Sequence, residues 1–153
     1  MMIIDGKKEA EILRQEIKKE IESLKSKDNK VPGLTVILIG DFAPSQIYVK
    51  NKEKSAKEVG INSNVVRYSK EVKEEEVLKK IEDLNNDTNV SGILVQLPLP
   101  PQINKEKIIN AVSPKKDVDG FHPINVGNLS SGHNALVPCT PLGCLYLIKK
   151  FEK

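Results

Sequence analysis

Residues 34–40, L-T-V-I-L-I-G, form a nearly continuous apolar run of strand length, rich in β-branched residues and closed by Gly40. A strand apolar on both alternating faces belongs in a sheet covered on both sides, which is the habit of parallel strands. Parallel strands need long crossovers, usually helical. The chain has segments of that kind on either side. Residues 7–27 repeat Ala10, Leu13, Ile17, Ile21 and Leu24 at three- and four-residue steps, with Lys and Glu between, and read as an amphipathic helix. D-N-K-V-P-G then reads as a loop. After the strand, Asp41 to Ser45 read as a turn, and a helix is expected from about Ser45 to Val59 with Gly60 as its C-cap.

The alternation continues. N-S-N-V-V-R-Y-S is a second strand candidate. Residues 73–86 carry Val77, Leu78, Ile81 and Leu84 on a Lys/Glu-rich helix. S-G-I-L-V-Q-L is a third strand, stopped by P-L-P-P, and Asn104 to Val112 is a short helix. Ser113 to Pro138, rich in Pro, Gly, Asn and Asp, is expected to be irregular. Thr140 reads as an N-cap with Pro141 in the first helical position, opening a last helix through Leu145 and Ile148. The pattern predicts a three-layer α/β/α fold with a mostly parallel sheet. Ligands of such sheets bind beyond the carboxyl ends of the strands.

Composition removes several classes. At 153 residues the chain fits one domain, and 39% hydrophobic residues with 29% charged residues suffice for a single core. A net charge of +3, with lysines interleaved among glutamates and no basic run mixed with aromatics, argues against nucleic acid. No run approaches the ~20 apolar residues of a membrane span. The start, M-M-I-I-D-G-K-K, turns polar too soon for a signal peptide, so a cytoplasmic setting is expected. Cys139 and Cys144 are the only cysteines, too few for a disulfide framework or a four-ligand zinc site. They are expected to be reduced, packed thiols.

Three segments lie where the strand-end rule directs attention. In S-Q-I-Y-V-K-N-K, the residues Ser45, Tyr48 and Lys52 share one helix stripe that starts at a strand's carboxyl end. A tyrosine ring offers a stacking surface, and a lysine offers a proton whose pKa falls on desolvation. Together they suit acid/base work on a planar polar ligand. An ordinary surface lysine beside a half-buried tyrosine has the same spacing. In G-I-L-V-Q-L-P-L-P-P, Gln96 follows a buried strand and is costly unless its amide finds partners. Those partners are a ligand, a catalytic lysine, or loop backbone. In P-K-K-D-V-D-G-F-H-P-I-N-V-G-N-L, Asp117 and Asp119 are expected on opposite sides of an extended segment. One would accept hydrogen bonds from an amino-bearing ring while the other holds the loop. D-x-D with His122 is too small a ligand set for a metal. Neither His122 nor His133 has a nucleophilic serine in a G-x-S-x-G setting.

Taken in order, S-Q-I-Y-V-K-N-K, G-I-L-V-Q-L-P-L-P, K-D-V-D-G-F-H-P-I-N-V-G-N-L and L-V-P-C-T-P-L-G-C resemble the bifunctional methylenetetrahydrofolate dehydrogenase/methenyltetrahydrofolate cyclohydrolase family. The resemblance implies the family's amino-terminal domain, of the amino-acid-dehydrogenase-like type. It implies oxidation of 5,10-methylenetetrahydrofolate with NADP (NAD in some members) and hydrolysis of the methenyl product to 10-formyltetrahydrofolate. It further implies a place in one-carbon metabolism and purine biosynthesis, and a homodimeric full-length protein. By resemblance Lys52 is the general acid/base and Tyr48 stacks on the folate rings. Gln96 hydrogen-bonds the lysine, Asp119 binds the polar edge of the pterin, and Ser45 supports the lysine.

The departure from the family is a missing Rossmann unit: no G-x-G-x-x-G turn after a strand occurs here. Residues 1–139 are therefore expected to be the folate domain, and 140–153 the start of the helix leading to the NAD(P)-binding domain. An exposed apolar patch is expected where the family's returning carboxyl-terminal helix would lie. A folate-binding fragment without turnover and an unrelated α/β interaction protein are the competing readings.

Overall fold

The computed structural model describes residues 3–28 and 30–152. Met1 and Met2 of the apolar tip, Asn29 of the D-N-K-V-P-G loop, and Lys153 lie outside the described residues. The elements run α1 (Gly6–Asp28), β1 (Gly33–Ile39), α2 (Ala43–Glu58), β2 (Asn62–Tyr68), α3 (Glu74–Asn86), β3 (Gly92–Val95), α4 (Lys105–Ala111), α5 (Pro123–Ser130) and α6 (Cys139–Phe151).

The three strands form one parallel sheet in the order β2-β1-β3. The apolar run at 34–39 is the central strand, and Val36, Ile37, Leu38 and Ile39 are all buried. One face of the sheet packs on α3 and α4, where Ile37 and Ile93 meet Val77, Ile81, Leu84 and Ile108. On the other face, Val36, Leu38 and Leu94 meet Val49 of α2. Each fully buried aliphatic side chain contributes about 1.5–3 kcal/mol of transfer free energy. The layered α/β/α expectation therefore holds. The segment at Asp117 extends the sheet by a single parallel bridge to Ile93, with the Ile93 N–H donating to the Lys116 carbonyl at 2.7 Å.

Differences from the sequence expectation have local causes. The helix α2 starts two residues early, at Ala43, because Pro44 in the first turn needs no backbone donor there. Gly60 follows its end at φ +91°, the left-handed conformation that glycine adopts without strain. The stretch 113–138 is not wholly irregular, since α5 lies within it. His122 caps α5 by accepting the Ile124 N–H at Nδ1, 3.1 Å, with Pro123 next. The last helix begins at Cys139 rather than after Thr140, and Pro138 precedes it with no side-chain cap.

Both cysteines are exposed rather than packed, because α6 buries none of its residues. Leu142, Leu145 and Ile148 stand open on that helix. Between α1, α2 and the sheet runs an apolar groove of about 470 Å3, lined by Ile17, Leu34, Ala56, Val59, Leu94 and Val118 among others. No helix among the described residues is long and apolar enough to cross a membrane.

Candidate active site

The strand order reverses at β1. From its carboxyl end the chain crosses to β2 through α2 on one face. From β2 it crosses back through α3 on the other face to reach β3. Such a switch point opens a crevice between the carboxyl ends of the two strands that diverge, here β1 and β3. Lys52 and Gln96 meet there by a hydrogen bond, and Lys52 also lines the apolar groove beside α2, whereas Asp119 lines a separate small pocket next to α4.

Lys52 lies in the third turn of α2 and is half-buried. Its Nζ donates to Oε1 of Gln96 at 3.2 Å. Gln96 directly follows β3, and its backbone N–H donates to the Ile37 carbonyl at 2.9 Å, which pins it to the central strand. Its Nε2 donates to the Leu97 carbonyl at 2.8 Å. Both ends of the amide are therefore satisfied, which answers the cost of placing it beside a buried strand. The Leu97–Pro98 peptide is cis.

Ser45, at 3% exposure, is the buried end of the α2 stripe, and its Oγ donates to the same Leu97 carbonyl at 3.4 Å. It thus reaches the strand-end loop and not Lys52 itself. Tyr48, the middle residue of the stripe, is 63% exposed, and Phe42 and Ile47 are exposed as well.

Asp119 and Asp117 both border a small pocket whose other walls are Ile93 and Val95 of β3, Leu97, Ile108, Ile109 and Val112 around α4, and Phe121. Burial among these groups pushes the Asp119 carboxyl above the ordinary value. The Lys52 ammonium pulls it down, and the charge of Asp117 adds to the rise. An extended segment would have put Asp117 and Asp119, two residues apart, on one face and not on opposite sides. They sit on a turn in which the Gly120 N–H donates to the Asp117 carbonyl at 3.2 Å. Asp117 faces inward and holds the loop.

Sequence reasoning missed the Leu97 carbonyl, on which Ser45 and Gln96 converge, and Phe121 beside Asp119. It also missed Asn125, buried on α5 and bonded to Asp117. The signal for α5 was present in His122-Pro123, a capping residue followed by proline at the first helical position. Among the described residues no three His, Cys, Asp or Glu side chains group as metal ligands.

The fold and its switch point define a doubly wound α/β domain with a ligand crevice at the carboxyl edge of a parallel sheet, and an amine poised in that crevice. Comparison with known proteins gives the family: residues 4–119 match the tetrahydrofolate dehydrogenase/cyclohydrolase catalytic domain, and the chain belongs to that family. It is 62% identical over 152 residues to the bifunctional protein FolD of Pelagibacter ubique, covering 99% of this chain and 54% of the relative. It is 52% identical to that of Rickettsia bellii, with 98% and 53% covered.

Among solved structures, the bifunctional FolD enzyme of Campylobacter jejuni superposes with a TM-score of 0.96 at 46% identity, covering 99% of this chain and 54% of that one. The Trypanosoma brucei methylenetetrahydrofolate dehydrogenase-cyclohydrolase, solved with NADP cofactor and an inhibitor, gives 0.93 at 33% identity, covering 97% and 51%. The chain spans about half the length of the relatives it matches.

Proposed function

We propose that this chain supplies the folate site and the acid/base residues for interconverting 5,10-methylenetetrahydrofolate, 5,10-methenyltetrahydrofolate and 10-formyltetrahydrofolate. The observation that carries the reading is the Lys52–Gln96 hydrogen bond at the strand end, 3.2 Å long, with the exposed Tyr48 one helical turn before the lysine. The methenyl carbon is a cationic electrophile, so hydrolysis needs water delivery, proton movement and a fixed ring. Lys52 moves the proton as base and then as acid. Gln96 holds the lysine in place through its carbonyl oxygen. Tyr48 stacks on the folate rings, Asp119 accepts from the amino edge of the pterin, and Ser45 secures the loop at Leu97.

The oxidative half of the proposal takes NADP as hydride acceptor, the cofactor named with the Trypanosoma brucei relative. The described residues do not fit a dinucleotide: no strand is followed by a glycine-rich turn of the Rossmann kind. No hydride step is assigned to them. In this reading residues 1–139 are the folate domain and 140–153 lead toward the portion that only the longer relatives span. The family resemblance also supports a cytoplasmic, homodimeric full-length protein that serves purine biosynthesis.

The test is hydrolysis of 5,10-methenyltetrahydrofolate by the chain and by its Lys52→Ala variant. The expected result is turnover above the uncatalysed rate that the variant lowers by about 100-fold or to background. Equal rates for the two proteins would remove Lys52 from the chemistry. A second reading, folate binding without turnover, is favoured by the exposure of Tyr48. Saturable folate binding with no hydrolysis by the parent chain would select it.

A further inference from the structure

Asp117, the first aspartate of K-D-V-D-G, has no role in the chemistry above, yet it is among the most buried charged residues, at 6% exposure. A buried carboxylate is costly unless it is hydrogen-bonded. Here one oxygen, Oδ2, accepts two bonds, from the His122 N–H at 2.8 Å and from Asn125 Nδ2 at 2.9 Å. Nδ2 of Asn125 also donates to the Pro114 carbonyl at 2.9 Å. The two ends of the segment 114–125 are thereby tied together through one side chain.

The backbone at Asp117 is held as well. It pairs with Ile93 of β3, and its carbonyl accepts the Gly120 N–H at 3.2 Å to close the turn around Val118 and Asp119. Gly120 sits at φ +67°, where a Cβ would lie 2.6 Å from the Leu136 carbonyl oxygen, so the turn leaves no room for adjustment. Val118 packs on the core beside Leu94, while Asp119 lines the pocket with the more deeply buried Asp117 beside it.

We propose that Asp117 is a positioning residue that clamps this turn, so that folate affinity depends on it through Asp119. The inference rests on the folate reading of the crevice. The geometry also makes Asp117 an electrostatic neighbour of Asp119. The charged groups facing Asp119 are Lys52 from α2 and Asp117 from its own turn. The pocket walls from β3 and α4 contribute only aliphatic side chains. Neutralising Asp117 while keeping its acceptor oxygen should therefore lower the pH at which Asp119 titrates without undoing the clamp.

The test compares Asp117→Ala with Asp117→Asn in the 153-residue chain. Calorimetric titration with 5-formyltetrahydrofolate reads affinity, and carbon-13 NMR of the Asp119 carboxyl reads its titration. Asp117→Ala is expected to weaken binding about tenfold, the size expected from losing a buried acceptor. Asp117→Asn is expected to stay within about threefold of the parent, since it keeps an oxygen for both donors. Its Asp119 titration should move to lower pH.

Parent-like affinity in Asp117→Ala, or equal losses in the two variants, would overturn the proposal. If the parent chain binds no folate, the folate reading fails by itself and the NMR arm decides. An Asp119 titration that moves in Asp117→Asn supports the coupling, and one unmoved in both variants overturns it. Circular dichroism melting identifies a variant that has not folded, and Asp117→Asn, which conserves shape and acceptor, then carries the comparison.

Discussion

Lys52 and Gln96 are 44 residues apart in the chain and 3.2 Å apart in the fold. One comes from the helix that leaves β1 and the other from the end of β3, so their meeting is a product of the switch point. Replacing Gln96 by Leu removes the acceptor for the ammonium and the donor to Leu97 together. A hydrogen bond to a charged group contributes about 1.5–3 kcal/mol, so methenyltetrahydrofolate hydrolysis should slow by about 10- to 100-fold. Absorbance-monitored hydrolysis checks this, and an unchanged rate would detach Gln96 from the chemistry.

Tyr48 buries little of its ring in the free chain, being 63% exposed. Covering it with a planar ligand removes apolar area from water and gains a stacking contact. Tyr48→Ala should weaken folate binding about tenfold, and Tyr48→Phe should retain most of it. Calorimetry on both variants separates ring from hydroxyl. A loss in Phe equal to that in Ala would assign the effect to the hydroxyl.

The Asp119 carboxyl is pushed up, first by burial and further by Asp117, against the pull of Lys52. The folded chain then holds this proton more tightly than the unfolded chain does. Stability from this group is present at low pH and lost as pH rises from the ordinary value of 3.8 through the raised one. At neutral pH Asp119→Asn should therefore raise Tm slightly, by about 2 °C, while weakening folate binding about tenfold or more. Paired melting and binding curves test the trade, and a lowered Tm would contradict the sign.

Glu9 on α1 and Lys150 on α6 form an ion pair, with Nζ of Lys150 also donating to the Tyr146 hydroxyl at 3.2 Å. The Lys150 ammonium is held above its ordinary range, first by the Glu9 hydrogen bond and then by Tyr146. This pair joins α6 to α1 alongside the half-buried Tyr146 and Leu147, which line one groove with Ala10 and Leu13 of α1. Glu9→Gln should speed amide hydrogen exchange in 139–151 severalfold and leave β1 unchanged. Equal exchange in α6 would show that apolar contacts such as Leu147 against α1 hold it alone.

Much of this arrangement was legible before any coordinates. Residues with strong periodicity, such as Val77, Ile81 and Leu84 of α3 or Val36 to Ile39 of β1, revealed both their element and their burial. The stripe of Ser45, Tyr48 and Lys52 was legible too, although the exposure of its middle residue between a buried and a half-buried one was not. The helix α5 was hidden because Asn125, Gly127 and Asn128 break the apolar repeat, and one of those asparagines serves Asp117 instead of the core. The turn at 117–120 was hidden because D-x-D spacing describes a strand as readily as a reverse turn. The exposure of Cys139 and Cys144 follows from how α6 docks, which no local pattern encodes.

The short third strand has a consequence for how this chain can be assayed. β3 pairs with β1 over four positions, Leu34 with Gly92 through Ile37 with Val95. A slip of one position would invert which side chains meet each layer and carry the Gln96 amide away from Lys52. Circular dichroism would hardly notice such an error, because the secondary-structure content would persist. The hydrolysis proposed for Lys52 would be lost. A hydrolytic rate, once measured for this chain, would thus be a gauge of strand alignment, able to distinguish a correctly threaded sheet from a compact impostor of equal helicity.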